Sequence, residues 1–192
     1  VAAKQIVALL DANRYRSVLI HGVTGSGKTE IYLHSIKHAL IQNKGVLVLV
    51  PEIALTPQLI GRFASVLDVS IAVLHSSLSD GQRYEVWQGL KQGQIKVVIG
   101  VRSAVFAPVE NLGLIIMDEE HETTFKQSEP DPRYHARDVA LKRGEMNQAV
   151  VILGSATPSI QSYYRALTGE HLLLTLKKRA KAQSMPAVDI VN

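Results

Sequence analysis

The chain has 192 residues, of which 46% are hydrophobic and 20% are charged, so it can bury a core and is not disordered. It contains no cysteine, which excludes a disulfide scaffold, a thiolate zinc site and a cysteine nucleophile within these residues. A formal net charge of +4 permits nucleic acid as a partner, and no apolar run approaches the ~18 residues of a membrane span. The sequence begins at Val1 rather than Met, so we expect a segment of a longer polypeptide.

Short apolar segments rich in Val, Ile and Leu alternate with segments long enough for helices. In chain order we predict strand Ser17–His21, helix Lys28–Gln42, strand Val46–Val50, helix Pro57–Leu67, strand Val69–Leu74, helix Asp80–Lys91, strands Lys96–Ile99 and Leu114–Met117, helix His135–Glu145, strand Val150–Leu153, helix Ser159–Ala166 and strand Leu172–Leu176. Continuous apolar strands are typical of strands buried on both faces, so we predict an α/β fold with a parallel sheet covered by helices. The long irregular stretch Glu122–Tyr134 is a candidate functional loop.

A glycine-rich loop directly follows the first predicted strand and opens the first predicted helix. It matches the pattern G-x-x-x-x-G-K-[ST] of a phosphate-binding loop and consists of Gly22, Val23, Thr24, Gly25, Ser26, Gly27, Lys28 and Thr29. Glycines let the backbone approach an anion closely, and the helix N-terminus presents amide groups to it. In such a loop Lys28 contacts the β- and γ-phosphates and the Thr29 hydroxyl coordinates Mg²⁺. The alternative is an ordinary glycine-rich turn.

The predicted strand Leu114–Met117 runs directly into a group of acids. Asp118 is placed at the end of the sheet where ligands bind, and it is a candidate Mg²⁺ ligand. Glu119 is the candidate base that orients or deprotonates the attacking water. We expect Glu120 to be a surface charge, and His121 to relay the nucleotide state to another surface. The alternative is a solvated acidic loop after a strand.

The segment Gly154–Pro158 follows the predicted strand Val150–Leu153, so its hydroxyl groups emerge at the same edge of the sheet. Ser155 and Thr157 can therefore bridge the acidic group to the far side of the domain. Alternatively, the segment is a turn that caps the next helix.

The segments GVTGSGKT, DEEH and GSATPS, in this order, resemble the first motor lobe of superfamily 2 helicases. Three longer segments, Val50–Gln58, Gly100–Pro108 and Asp118–Ala140, are similar to the bacterial replication-restart helicases within that superfamily. The resemblance implies a RecA-like P-loop NTPase lobe over residues 1–176. It also implies that residues 177–192 form a basic linker toward a second helicase lobe outside this chain.

The same resemblance implies an ATP- and Mg²⁺-dependent DNA helicase of 3′→5′ polarity that acts at stalled or abandoned replication forks. Its expected partners are forked or single-stranded DNA, the second lobe, and primosome proteins including single-strand binding protein, in the cytoplasm and associated with the nucleoid. Zinc is expected only in parts of the parent protein outside this chain. Because the second lobe supplies catalytic arginines, we expect the isolated chain to have little or no activity.

DNA contacts are also implied by the resemblance. Arg102 and Ser103 are candidates for phosphate contact, although Arg102 can equally be a surface ion-pair partner. Thr56 and Gln58 are further candidates, although a Thr-Pro pair is also an ordinary helix start. Gln5 matches the position of an adenine-reading glutamine.

The loop Thr123–Tyr134 resembles an aromatic-rich loop that couples DNA binding to ATP hydrolysis in related helicases. Phe125 and Tyr134 are its candidate stacking residues, with Lys126 and Arg133 as nearby cations. The alternative is that both aromatic rings anchor the loop to the core.

Two other functions are compatible with these residues. The first is a P-loop ATPase that acts on a protein or a small molecule instead of DNA. The second is a non-catalytic nucleotide- or DNA-binding module. The presence of Lys28, Thr29, Asp118 and Glu119 together speaks against the second, because none of the chemical groups is missing.

Overall fold

The computed structural model describes residues 1–177, which form one layered α/β unit. Within this range the helices are α1 Ala2–Asp11, α2 Lys28–Ile41, α3 Pro57–Leu67, α4 Asp80–Lys91, α5 Ala136–Asn147 and α6 Ile160–Leu167. The strands are β1 Arg16–Gly22, β2 Gly45–Leu49, β3 Ile71–Leu74, β4 Val97–Gly100, β5 Leu112–Asp118, β6 Lys126–Gln127, β7 Tyr134–His135, β8 Val150–Ser155 and β9 Leu172–Leu176. Short 3₁₀ turns lie at Glu52–Ala54, Arg102–Phe106 and Thr123–Phe125.

Seven of these strands form one sheet in the order β3-β4-β2-β5-β8-β1-β9, and every pair in it is parallel. In the central register Ile116 of β5 lies opposite Ile152 of β8, and Ile20 of β1 lies opposite Gly154. The parallel α/β fold predicted from the sequence is therefore confirmed. All seven strands end at the same edge of the sheet, which is where ligands of such folds bind.

The sheet has an apolar core on each face, since successive side chains of a strand point to opposite sides. On one face Val18, Ile20 and Ile116 pack with buried residues of α1, α2 and α3. On the other face Leu19 and Met117 pack with buried residues of α4, α5 and α6. Burial on both faces explains why the strands are continuously apolar in sequence.

The predicted bounds of the main elements differ from the observed ones by at most two residues, and those of α3, α4 and β9 coincide. Helix α1 was not predicted. No side chain caps its N-terminus, so the sequence lacks the capping residue that usually indicates where a helix begins. Ile6 and Leu10, four residues apart on one face, are both buried, and that spacing is the sequence pattern that indicates α1.

The stretch Glu122–Tyr134 is more ordered than its sequence suggests. Strands β6 and β7 form a small antiparallel hairpin, in which Lys126 lies opposite His135. The Gln127 side-chain amide donates to the carbonyl oxygens of Pro130 and Pro132, at 2.9 and 3.0 Å, and closes the hairpin loop. The prediction of an irregular stretch therefore holds for residues 128–133 and is wrong for the short elements on either side, since a side chain rather than a turn sequence closes the hairpin.

Two further predictions concern the C-terminal residues and membrane-spanning helices. The predicted basic linker 177–192 lies outside the described residues, apart from Lys177. Over residues 1–177, each helix is too short or too polar to cross a membrane.

Candidate active site

The phosphate loop connects β1 to α2 and begins at the carboxyl edge of the sheet. Gly25 and Gly27 have φ angles of 77° and 92°, in the left-handed region that favours glycine. Gly27 directly precedes the first turn of α2, so the helix begins at Lys28 with its free amide groups facing the loop. The backbone thus has the conformation expected of a phosphate-binding loop, and the binding of phosphate by it stays a prediction.

Lys28 is buried inside the loop that it belongs to, with 7% of its surface exposed. Its ammonium group donates a 3.0 Å hydrogen bond to the Gly22 carbonyl and lies 3.4 Å from a Glu119 carboxylate oxygen. The Ser26 hydroxyl is buried and has no hydrogen-bond partner among the described residues. A phosphate group fits this surrounding, because it can accept hydrogen bonds from both side chains and from the loop amides.

Asp118 ends β5 at the centre of the same edge. It accepts a 2.9 Å hydrogen bond from the Tyr32 hydroxyl of α2. Burial raises the pKa of Asp118, an effect that the Tyr32 hydrogen bond opposes. Burial, and then the charge of Asp118, raise the pKa of Tyr32, so its hydroxyl stays a donor. The hydroxyl of Thr29 and a carboxylate are hard oxygen donors of the kind that Mg²⁺ prefers.

Gly154 makes room for the Tyr32–Asp118 hydrogen bond. A Cβ atom at this position of β8 would lie 1.7 Å from the Tyr32 hydroxyl oxygen and 3.4 Å from an Asp118 carboxylate oxygen. Only hydrogen fits there. Glycine at this position therefore allows the Tyr32 side chain to lie across the ends of the paired strands β5 and β8.

Glu119 has a left-handed backbone, with a φ of 47°. Such a conformation is uncommon for a residue with a side chain and is held by its surroundings. The next amide, that of Glu120, donates 3.0 Å to the Gly154 carbonyl, and the Glu122 amide donates 2.9 Å back to the Glu119 carbonyl. The resulting turn directs the Glu119 carboxylate to Lys28, where it can accept a proton from water near a bound phosphate.

His121 joins the acidic group to the segment after β8. Its Nδ1 atom lies 2.8 Å from the Ser155 hydroxyl, and its Nε2 atom lies 3.4 Å from the Thr157 hydroxyl. Ser155 also accepts a 2.9 Å hydrogen bond from the Thr157 amide, so the segment is a capped turn as well. The structure thus brings His121, Ser155 and Thr157 together, and their role in relaying the nucleotide state stays a prediction.

Glu120 is not the surface charge that the sequence suggested. It is 1% exposed, and its carboxylate accepts hydrogen bonds from the Ser159 amide at 2.7 Å and from the Ser159 and Ser162 hydroxyls at 3.0 and 2.8 Å. The Arg137 guanidinium lies 3.5 Å away. Sequence reasoning missed Arg137, Ser159 and Ser162. Two serines three residues apart at a helix start are the pattern of a cap, and such a pattern does not reveal an acid bound to it.

Arg102 holds the loop that follows the acids. Its guanidinium donates to the Lys126 carbonyl at 3.0 Å and to the Thr124 carbonyl at 3.4 Å. It is therefore a tether between two backbone segments rather than a partner in a surface ion pair. Ser103 is exposed next to it, and the two residues line a cavity of about 200 Å³ that Glu52 and Thr124 also line. Contact of Arg102 and Ser103 with DNA phosphate stays a prediction.

Thr56 and Gln58 lie at the start of α3. The Thr56 hydroxyl accepts a 3.2 Å hydrogen bond from the Leu59 amide, so Thr56 is the cap of this helix. Gln58 is exposed in the first turn. The alternative of an ordinary helix start is thus realised for Thr56, while Gln58 stays a candidate DNA contact.

Phe125 is not available to stack on a DNA base. Its side chain is 1% exposed and packs in the core between the sheet and α5, so the stacking prediction is wrong and the anchoring alternative holds. Tyr134 is half-buried and lies edge-on to Phe106, with ring centroids 5.0 Å apart. Lys126 and Arg133 are exposed on the hairpin, although Arg133 lies 3.2 Å from Asp131.

Replacing Phe125 with alanine tests the anchoring role. We expect Phe125→Ala to lower the free energy of unfolding by about 3–5 kcal/mol, because it leaves a cavity in the core. The matched control is Phe106→Ala, whose ring is 46% exposed and whose loss should cost about 1 kcal/mol or less. Urea denaturation followed by circular dichroism measures both. Unchanged stability together with weaker DNA binding by Phe125→Ala would restore the stacking role.

Gln5 lies in α1 beside the phosphate loop. It lines a cavity of about 570 Å³ together with Ser26 and residues of β9, among them Leu174 and Leu176. An amide next to an apolar wall and the phosphate loop suits a purine base. The adenine-reading role of Gln5 stays a prediction.

Comparison with known proteins points to one family. A family model described as DEAD/DEAH box helicase matches residues 2–166. Replication restart protein PriA of Bacillus subtilis (strain 168) is 50% identical over 191 residues, and PriA of Haemophilus influenzae is 51% identical over 162. These matches cover 100% and 84% of this chain but only 24% and 22% of the relatives. The chain spans about a quarter of the length of these curated relatives.

Solved helicase structures share the fold. RecG bound to a three-way DNA junction superposes with a TM-score of 0.63 at 22% identity, over 91% of this chain and 23% of that protein. The yeast DEAD-box splicing factor Prp28 superposes with a TM-score of 0.58 at 15% identity, over 88% of this chain and 44% of that protein. The fold is thus the predicted RecA-like lobe, and with the family model covering residues 2–166, the chain belongs to the DEAD/DEAH box helicase family.

Proposed function

We propose that residues 1–176 are the ATP-binding lobe of a 3′→5′ DNA helicase that acts at stalled or abandoned replication forks. One observation carries the ATPase part of the proposal. The buried Lys28 of the phosphate loop and the Glu119 carboxylate lie 3.4 Å apart at the carboxyl edge of the sheet. A cation for phosphate and a base for water are thus in contact.

Each group has a definite role in this proposal. The amides of the phosphate loop and Lys28 bind the β- and γ-phosphates of ATP, and Ser26 offers a further hydroxyl. Thr29 and Asp118 hold Mg²⁺, which supplies positive charge against the phosphate oxygens. Glu119 orients the attacking water and accepts its proton. Lys28 lies 3.4 Å from the Glu119 carboxylate, so the cation that binds phosphate also holds the proposed base close to it.

The DNA part of the proposal is supported by the relatives. Their name, replication restart protein, supports an action in the restart of replication. We propose forked or single-stranded DNA as the substrate of this chain's parent protein, and other primosome proteins, including single-strand binding protein, as its partners. The exposed cations Lys126 and Arg133 and the polar Ser103 and Gln58 are the groups of this chain that we propose for DNA contact. We also propose a second lobe that completes the ATP site, zinc in another part of the parent protein, and a cytoplasmic location near the nucleoid.

Replacing Lys28 with alanine tests the nucleotide site. We expect the chain to bind a non-hydrolysable ATP analogue with Mg²⁺, and Lys28→Ala to weaken this binding at least about tenfold, because a charge-assisted contact is lost. Lys37→Ala, which removes an exposed lysine from the same helix, is the matched control and should leave the affinity unchanged. Isothermal titration calorimetry measures all three. A folded wild-type chain that does not bind the analogue contradicts the proposal.

DNA dependence distinguishes the helicase from the other candidate functions. In the full-length product of the gene, we expect single-stranded DNA to stimulate ATP turnover. An ATPase that DNA does not stimulate would favour a non-DNA substrate. ATP binding with no turnover at all would favour a non-catalytic module.

A further inference from the structure

We infer that Glu120 is a positioning residue that couples the hairpin β6–β7, which carries the proposed DNA contact Lys126, to the turn that holds Glu119. This inference rests on the proposed function, because it assumes that DNA stimulates ATP hydrolysis at this site. Glu120 itself is not proposed to touch ATP or DNA.

The surroundings of Glu120 are built for a carboxylate. Its side chain is fully enclosed, and both carboxylate oxygens accept hydrogen bonds: Oε1 from the Ser159 amide at 2.7 Å, and Oε2 from the hydroxyls of Ser159 and Ser162. Arg137 completes the cluster with its Nη1 atom at 3.5 Å from Oε2 and at 2.8 Å from the Ser159 hydroxyl. Four donor groups that converge on one buried anion fix its position and its direction.

This cluster joins three segments of the chain at one point. Glu120 follows β5, and Arg137 lies in the first turn of α5. Ser159 is the N-cap of α6, and Ser162 lies in the first turn of that helix. The Arg137 amide donates a 3.2 Å hydrogen bond to the ring of His135, which belongs to β7. A displacement of the hairpin therefore reaches the buried carboxylate through only two residues.

The neighbouring acids Glu119 and Glu120 have different partners. Glu119 contacts Lys28 and lies 3.7 Å from His121, whereas the hydrogen bonds and the ion pair of the Glu120 carboxylate, within residues 1–177, go to Ser159, Ser162 and Arg137. The peptide between them follows the left-handed Glu119, and its N–H, which belongs to Glu120, donates a hydrogen bond to the Gly154 carbonyl. This peptide joins Glu120 directly to the Cα atom that carries the Glu119 carboxylate, so in this inference a shift of Glu120 is transmitted to the group that faces Lys28. The distance that decides catalysis is thereby tied to the position of α5.

The test uses Glu120→Gln in the full-length product of the gene. Glutamine keeps the shape of the side chain, but it presents an NH₂ group to surrounding donors and removes the charge opposite Arg137. We measure ATP turnover with and without single-stranded DNA, together with the affinity for a non-hydrolysable ATP analogue. We expect DNA stimulation to fall at least about fivefold while the analogue affinity stays within about twofold of the wild type. The control Glu85→Gln, an exposed acid on α4, should change neither.

A second variant covers the case in which Glu120→Gln does not fold. Ser162→Ala removes one of the hydroxyl donors and leaves the charge pair in place, and we expect it to lower DNA stimulation at least about twofold. Wild-type stimulation in a folded Glu120→Gln protein, or in Ser162→Ala alone if the first is unfolded, overturns the inference and leaves the proposed function intact. A wild-type protein that hydrolyses ATP but is not stimulated by DNA overturns the proposed function instead, and the inference with it.

Discussion

Replacing Glu119 with glutamine is expected to lower ATP turnover by about 10²–10⁴-fold, the usual contribution of a general base. The amide cannot accept the proton of the attacking water, while it keeps the size of the side chain. Because Lys28, Ser26 and the loop amides are unchanged, the affinity for the ATP analogue should stay within a few-fold. Steady-state turnover with saturating single-stranded DNA, in the full-length product of the gene, measures the first quantity, and calorimetry measures the second.

The neighbouring acid Glu122 provides the control for this experiment. It lies two residues beyond Glu120, and its carboxylate is partly exposed, 3.8 Å from His121. We expect Glu122→Gln to keep turnover within about twofold, since it contacts neither Lys28 nor the phosphate loop. A Glu119→Gln protein that retains wild-type turnover would assign the base to another group.

Replacing Arg137 with methionine is expected to lower the free energy of unfolding by about 3–5 kcal/mol. The change removes the counter-charge of the enclosed Glu120 and leaves that carboxylate buried with hydrogen bonds but no cation. The matched control is Arg165→Met, whose arginine side chain is 40% exposed, with its Nε atom 3.7 Å from a Glu170 carboxylate oxygen. An exposed pair of this kind contributes about 1 kcal/mol or less. Urea denaturation of this chain measures both losses.

A double variant separates the charge effect from lost packing. In Glu120→Gln/Arg137→Met no ionised group remains in the cluster, so the double variant should be more stable than Arg137→Met alone. If the two losses are simply additive, packing of the arginine stem is responsible, and the prediction about charge is wrong.

The sequence was sufficient for those parts of the molecule in which one local pattern dictates one structure. The continuous apolar runs predicted the strands correctly, because both faces of the sheet are covered. The spacing from Gly22 to Lys28 predicted the phosphate loop, because few other structures need that pattern. It was insufficient where a residue's environment is created by distant parts of the chain. Glu120 follows two acids and looks like a surface charge, yet α5 and α6 enclose it.

The loop Thr123–Tyr134 shows the same limit of prediction from sequence. Phe125 lies among polar residues, and its sequence neighbours suggest an exposed loop. The core that receives its ring is formed by residues of other elements, among them Ala136 and Leu141 of α5. No sequence pattern indicates that Tyr32 belongs to the site, because a tyrosine inside a helix is usually a packing residue. Its hydroxyl acquires a partner only when β5 and α2 meet at the edge of the sheet.

The hydrogen atom that serves as the side chain of Gly154 has a consequence for how this fold can diverge. The position lies in a different motif from Tyr32 and 122 residues away along the chain, but a methyl group there occupies the space of the tyrosine hydroxyl. A side chain at position 154 therefore requires a smaller residue at position 32, so a substitution of Gly154 has to follow or accompany the loss of the tyrosine. A designer who transplants the phosphate loop, with its tyrosine, and the acidic turn into a new scaffold has to include a glycine at the matching position of the neighbouring strand as well.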